Sequence, residues 1–250
     1  MDNPNKVWTT ALRTLHFEYD HKASPREMEV KEIMGYEYTS KIDWPVITHA
    51  SRKLNYNFMF AEAAWILRGR NDLAYIAERN SNYASFSDDG VTLNGAYGPK
   101  VIDQLGWAAS EIANDLDTRR AYINIWRERP GPSKDLPCTT GMQFLVRDNK
   151  LNMMVFMRSQ DVVWGMPYDI FTFSAIAKYM QLHLYQTHGV PVGTGWLNVH
   201  VGSFHLYERH YENVGGWLND EDTNRMAEEY YKISACVHPK EYIENLELAA

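Results

Sequence analysis

The sequence predicts an α+β fold in a single domain spanning residues 1–250, with strands that mostly pair antiparallel. Three observations carry this. Apolar residues make up 45% and charged residues 23% of the 250, ordinary values for a chain that buries a sizeable core. Segments with apolar residues at helical spacing are interspersed with β-branched segments of period two. No repeat, low-complexity tract or Gly/Ser linker divides the chain.

The elements follow in order. Asn3 to Phe17 reads as an opening helix. Met34 to Trp44 has the alternation of strands. Leu54, Phe58, Ala61 and Trp65 lie on one helical face, which predicts a helix over Leu54 to Leu67 closed by Gly69. Asn80 to Gly98 is polar, irregular and long, the kind of loop that carries function. A helix is predicted over Gln104 to Asp115, and strands over Arg120 to Trp126, Met142 to Arg147 and Lys150 to Arg158. Asp148-Asn149 suits the hairpin turn between the last two. Asp169 to His188 reads as a long apolar helix ended by Gly189. A strand over Val199 to Tyr207 and a short helix over Glu208 to Leu218 complete the series.

Composition narrows the function. Lys plus Arg is 25 and Asp plus Glu is 32, a net charge of −7 with no basic block. That argues against a general nucleic-acid or membrane-surface binder, but not against an anion site where a few arginines converge. Two cysteines, Cys138 and Cys236, exclude a disulfide framework and a Cys-rich zinc site, and no metal is expected. The start at Met1 has no apolar leader segment and no stretch approaches membrane-spanning length, so a cytoplasmic location is expected. Eight Trp and 16 Tyr suit a site that stacks flat rings.

Several residues could carry chemistry, each with an ordinary alternative. Cys138 precedes a strand; it is either a small buried hydrophobe or a nucleophile, which needs nearby positive charge to become a thiolate. Arg158-Ser159-Gln160-Asp161 follows the apolar run Met153 to Met157, as a solvated strand end or as a grip on a phosphate. Glu62 lies near the apolar face of its helix, where burial would make it an acid–base group, and is otherwise an outward carboxylate. Asp169 begins a helix, so its plain role is an N-cap. His205 and Tyr207 share a strand face, as packing or as partners for a sugar hydroxyl. Arg119 and Arg120 are otherwise two surface charges.

The order of these features is more telling than any one of them. Glu62-Ala-Ala-Trp-Ile-Leu-Arg-Gly69, Gly95-Ala-Tyr-Gly98, Asp117-Thr-Arg-Arg120, Leu136-Pro-Cys138, Arg158-Ser-Gln-Asp161, Gly165-Met-Pro-Tyr-Asp169 and His205-Leu-Tyr207 succeed one another over about residues 50 to 215. The chain resembles the thymidylate synthase superfamily. Met157-Arg-Ser-Gln-Asp-Val-Val-Trp-Gly165 and Val201-Gly-Ser-Phe-His-Leu-Tyr-Glu-Arg-His210 are most similar to the phage deoxycytidylate hydroxymethylases. The resemblance implies a large mixed β-sheet with packed helices and a homodimer formed sheet to sheet. It implies that Cys138 adds to C6 of the pyrimidine. Arg158 would hold the 5′-phosphate, with Arg119 and Arg120 reaching over from the partner and Arg26 as a weaker candidate. Ser159 would seat the nucleotide, and His205 and Tyr207 would bind the 3′-hydroxyl. Glu62 would order water and move protons, and Tyr97 would lie beside nucleophile and base. Asp161, Tyr83 and Phe86 would face the co-substrate, 5,10-methylenetetrahydrofolate.

Substrate choice turns on Asp169, where the synthases carry Asn. An amide matches the N3–H donor and O4 acceptor of uracil, whereas a carboxyl matches the N3 acceptor and 4-amino donor of cytosine. A proton held at N3 also stabilises the adduct at C6. The expected reaction is hydroxymethylation of dCMP, because Tyr83 and Phe86 stand about where the synthases place tryptophans and leave a smaller, more polar wall that could admit water. The rivals are methylation of dCMP, hydroxymethylation of CMP, and a catalytically idle nucleotide or RNA binder. Other departures are Thr139 for the synthases' His, Ser203 for their Asp, and a missing N-terminal phosphate loop, which bears on Arg26. A phage source would make the product a precursor of modified DNA, formed in the host cytoplasm.

Overall fold

The computed structural model describes residues 3–128, 131–219 and 225–250. Met1 and Asp2, at the expected leaderless start, lie outside them. The described residues form eight α-helices and one sheet of six strands, in the strand order β1-β2-β6-β5-β4-β3. The strands are β1 (His21–Ala23), β2 (Val30–Lys41), β3 (Tyr122–Asn124), β4 (Thr139–Arg147), β5 (Lys150–Asp161) and β6 (Gly193–Tyr207). Only β5 and β6 pair in parallel. Their crossover is α5 (Met166–His188), whose Phe171, Phe173, Ile176 and Met180 are fully buried. This is the mixed sheet with packed helices that the resemblance implied.

Local chemistry explains several element ends. Asn3 caps α1 (Pro4–Phe17) by accepting from the Asn5 N–H at 2.9 Å. Asn55 caps α2 (Tyr56–Leu67), and Asp72 caps α3 (Leu73–Arg79). Gly189 ends α5 in the left-handed region at φ 67°. Asp148 and Asn149 both adopt positive φ, 51° and 57°, as a tight turn between β4 and β5 requires.

Several expectations needed correction. α4 (Gly98–Asn114) begins well before the predicted Gln104, because Pro99 is tolerated in a first helical turn. β2 starts at Val30 rather than Met34, and β6 at Gly193 rather than Val199. The predicted helix over Glu208 to Leu218 is a 3-10 segment, Glu208–Asn213, followed by the short α6 (Val214–Leu218). β1, α3, α7 (Arg225–Ser234) and α8 (Pro239–Ala249) were not predicted. The last two are anchored by tertiary partners: Tyr230 and Tyr242 are buried against each other, and Arg68 of the α2 C-cap pairs with Glu247 at 2.8 Å.

One irregularity positions the site. In β5 the buried residues are Leu151, Met153, Val155 and Met157, and then Gln160. The alternation changes phase at Arg158 and Ser159. β6 changes phase at the same level, around Gly202, and β2 carries Gly35 there at φ 74°. A side chain on Gly202 would meet the Arg158 carbonyl at 2.9 Å, so the close approach needs glycine. The kink leaves Arg158 exposed and turns Gln160 inward.

Candidate active site

The end of the sheet beyond this kink gathers most of the residues singled out in the sequence. Cys138 is partly exposed and sits just before β4. Its carbonyl accepts from the Arg158 N–H at 2.8 Å. The Arg158 side chain wraps the same loop, donating from Nε to Pro137 and from Nη2 to Leu136, each at 3.0 Å. Nη1 donates to the Ser159 hydroxyl at 3.2 Å, and that hydroxyl points at Sγ of Cys138, 3.7 Å away. Three of the five guanidinium donors are thus spent on the loop and Ser159, which leaves two for an anion. Burial pushes the Cys138 thiol above its ordinary value, while Arg158 and Ser159 pull the other way. The positive charge expected beside Cys138 is present, but in the single chain it does not outweigh burial.

Two carboxyl groups near one another lie at this end, and the charge of one of them, Asp169, acts on the Cys138 thiol. Glu62 projects from the middle of α2, and its carboxylate accepts from the Tyr83 hydroxyl. Burial raises it to about 7 against that hydrogen bond. Asp169 lies one turn inside α5, and the N-cap position belongs to Gly165, so Asp169 is not a cap. Its Oδ2 accepts from Gln160 Nε2 at 2.8 Å. Burial raises Asp169 to about 7, and the nearby charges of Glu62 and Asp161 add to the shift. Two carboxyls that titrate near neutrality in one cleft suit proton transfer. The Tyr97 hydroxyl accepts from Thr139 Oγ1 at 3.0 Å, close to Cys138.

The remaining residues divide by position. His205 lies opposite Asp161 in the β5–β6 register, with its ring edge-on to Tyr207 at 5.1 Å, so both stand at the site's end of the sheet. Asp161 Oδ1 accepts from the N–H groups of Val163 and Trp164 at 2.7 and 3.2 Å and so shapes the turn into α5. Tyr83 lies against Phe58 and Phe86, and Phe86 is 43% exposed. These flat rings stand beside Glu62, which the Tyr83 hydroxyl contacts. Arg26 is exposed at φ 53° in the turn leading to β2, near the Val30–Tyr207 pair. Arg119 and Arg120 are elsewhere. They precede β3, whose Tyr122 pairs with Gln143, and Arg120 pairs with Glu111 at 3.0 Å. Counted along β4 at about 3.3 Å per residue, they lie roughly 20 Å from Cys138.

The sequence profile of thymidylate synthase matches residues 10–228. The chain belongs to the thymidylate synthase family. It is 31% identical over 224 residues to a deoxyuridylate hydroxymethyltransferase of Bacillus phage SP01, covering 81% of this chain and 55% of that protein. It is 34% identical over 192 residues to a deoxyuridylate hydroxymethyltransferase of Pseudomonas phage M6, covering 73% of this chain and 53% of that protein. The chain spans about half the length of these relatives.

Of the three departures from the synthases expected from the sequence, Asp169 and Thr139 lie near Cys138, and Ser203 donates its hydroxyl to Glu32 on β2. Two residues linked to Asp169 carried no role in the sequence reading. One is Gln160, inside the Arg158–Asp161 motif, and the other is Tyr38, whose hydroxyl accepts from Gln160 at 3.0 Å. Strand periodicity does not find Gln160: the inward phase set by Val155 and Met157 predicts Ser159 inside, and the kink reverses it. Among the described residues no group of three or more His, Cys, Asp or Glu could hold a metal ion, and no helix is long and apolar enough to cross a membrane.

Proposed function

We propose that this chain transfers a hydroxymethyl group to C5 of dCMP, using 5,10-methylenetetrahydrofolate and water. The observation that carries the reading is a partly exposed thiol beside Arg158 and Ser159 and within the influence of Asp169, a carboxyl that burial raises to about 7 and that lies near a second, Glu62. The Cys138 thiolate adds to C6, and the electron pair moves toward N3 and C5. Asp169 holds a proton at N3 and accepts from the 4-amino group. The folate would supply a one-carbon unit at the oxidation level of formaldehyde: C5 bonds to that carbon, C5 loses its proton, and the bond from that carbon to the folate nitrogen breaks to release tetrahydrofolate. Glu62, with the Tyr83 hydroxyl on it, orders the water that completes the product and moves protons about C5. Release of Cys138 from C6 restores the aromatic ring. Arg158 holds the 5′-phosphate, and His205 with Tyr207 hold the sugar.

A homodimer is part of this reading. Arg119 and Arg120 stand far from their own Cys138, as arginines that serve a partner's site would. α5 and α1 pack on one face of the sheet, and the alternate strand residues Leu145, Met154, Phe156 and His200 form the other, with Phe156 stacked on His200 at 5.3 Å. An added positive charge from the partner would also bring the Cys138 thiol down.

A second reading is supported by the relatives, whose names specify deoxyuridylate. The test is mass analysis of the products from dCMP, CMP and dUMP, each incubated with methylenetetrahydrofolate. The proposal expects 5-hydroxymethyl-dCMP and tetrahydrofolate. Methylated product with dihydrofolate absorbance, or faster turnover of CMP or dUMP, would overturn the corresponding part, and no product from any of them would support an idle binder.

A further inference from the structure

We propose that Gln160, braced by Tyr38, is the positioning residue that makes Asp169 distinguish a 4-amino from a 4-oxo pyrimidine. The inference rests on the reading of Asp169 as the base-recognising carboxyl and deepens it.

A carboxyl that holds its proton is ambivalent. One oxygen donates and the other accepts, and moving the proton between them exchanges the roles. Such a group fits the cytosine edge in one form and the uracil edge in the other. Asp169 alone therefore does not explain selectivity in a site that keeps it protonated.

The structure removes the ambivalence. Gln160 Nε2 donates one N–H to Asp169 Oδ2 at 2.8 Å and the other to Tyr38 Oη at 3.0 Å. Gln160 is 2% and Tyr38 6% exposed, so the amide is enclosed. Its Oε1 is buried without a hydrogen-bond partner among the described residues. An apolar side chain would avoid that cost, so packing alone is a poor reason for an amide here. A donor fixed on Oδ2 keeps that oxygen an acceptor and places any proton on Oδ1. With Oδ2 toward C4, the 4-amino group donates to Oδ2 and Oδ1–H donates to N3. A uracil in the same pose would set O4 against Oδ2 and N3–H against Oδ1–H, an acceptor on an acceptor and a donor on a donor. The bond to Cys138 and the phosphate grip prevent the ring from turning over to escape.

The experiment compares kcat/KM for dCMP and dUMP in wild type, Gln160→Met and Tyr38→Phe, with Tm measured for each. In Gln160→Met the dCMP/dUMP ratio should fall by at least about tenfold, chiefly through a gain on dUMP; Tyr38→Phe should move the same way by less. A merely structural role would lower both nucleotides together and leave the ratio alone. An unchanged ratio in folded Gln160→Met overturns the proposal, whichever nucleotide wild type prefers. If Gln160→Met does not fold, Tyr38→Phe and Gln160→Asn decide by the same ratio. A wild type that prefers dUMP, with that preference lost in Gln160→Met, overturns the cytosine reading and supports the lock, Oδ2 then facing N3–H. A wild type with no preference overturns both.

Discussion

At the scale of single residues, the cleft holds groups whose protons are displaced from their ordinary places. Cys138 is the simplest to test. Cys138→Ala should abolish release of tritium from 5-tritiated dCMP, because without the sulfur adduct C5 never becomes nucleophilic; release at the wild-type rate would remove the nucleophile assignment. The carboxyls make a second prediction. Glu62 and Asp169 bind protons more tightly in the folded chain, at about 7, than at their ordinary values of 4.5 and 3.8. Their contribution to stability is whole below about pH 4 and is lost as pH rises to 7, on the order of 3–4 kcal/mol for each group. Asp169→Asn should therefore raise Tm at about pH 8 and leave it nearly unchanged at about pH 4. A variant melting lower than wild type at pH 8 would speak against burial as the cause. In the Gln160→Met background, where no donor fixes the amide, the same substitution should shift preference toward dUMP, and a constant ratio there would remove the substrate argument. Cys138, Glu62 and Asp169 could be singled out as candidates in the sequence because each stands in a distinctive motif. Gln160 and Tyr38 could not, because a buried amide and a strand tyrosine acquire meaning only from each other across two strands.

At the scale of elements, the kink in β5, β6 and β2 is the feature that builds the site. It exposes Arg158 and turns Gln160 toward α5 within three residues of one strand. Gly202→Ala should disturb it, since the new methyl would meet the Arg158 carbonyl at 2.9 Å. The expected cost is about 1–3 kcal/mol of stability, with a raised KM for the nucleotide as Arg158 shifts. Chemical denaturation and steady-state kinetics check both; a wild-type KM would show that the kink tolerates the methyl. Strands β4 and β5, their turn and α5 were readable because alternation, Asp148-Asn149 and Gly189 are local signals. α7 and α8 escaped because their places are set by buried contacts such as Tyr230 on Tyr242, not by local pattern.

At the scale of the whole molecule, the separation of Arg119 and Arg120 from Cys138 predicts complementation. An Arg119→Ala/Arg120→Ala variant and a Cys138→Ala variant should each be nearly inactive. Mixed in equal amounts after dissociation, they should recover up to about a quarter of wild-type activity, since half the dimers are mixed and each mixed dimer has one complete site. No recovery, with mixed dimers demonstrated, would place the arginines outside the partner's site. The sequence by itself determined the α+β class, the family and the candidate nucleophile, because these depend on residue types at short spacing and on motif order. The tertiary structure alone decided the burial that raises the two carboxyls, the amide that holds Asp169 and the distance of the two arginines, because burial, hydrogen-bond direction and span across a sheet exist only once distant segments have been packed together.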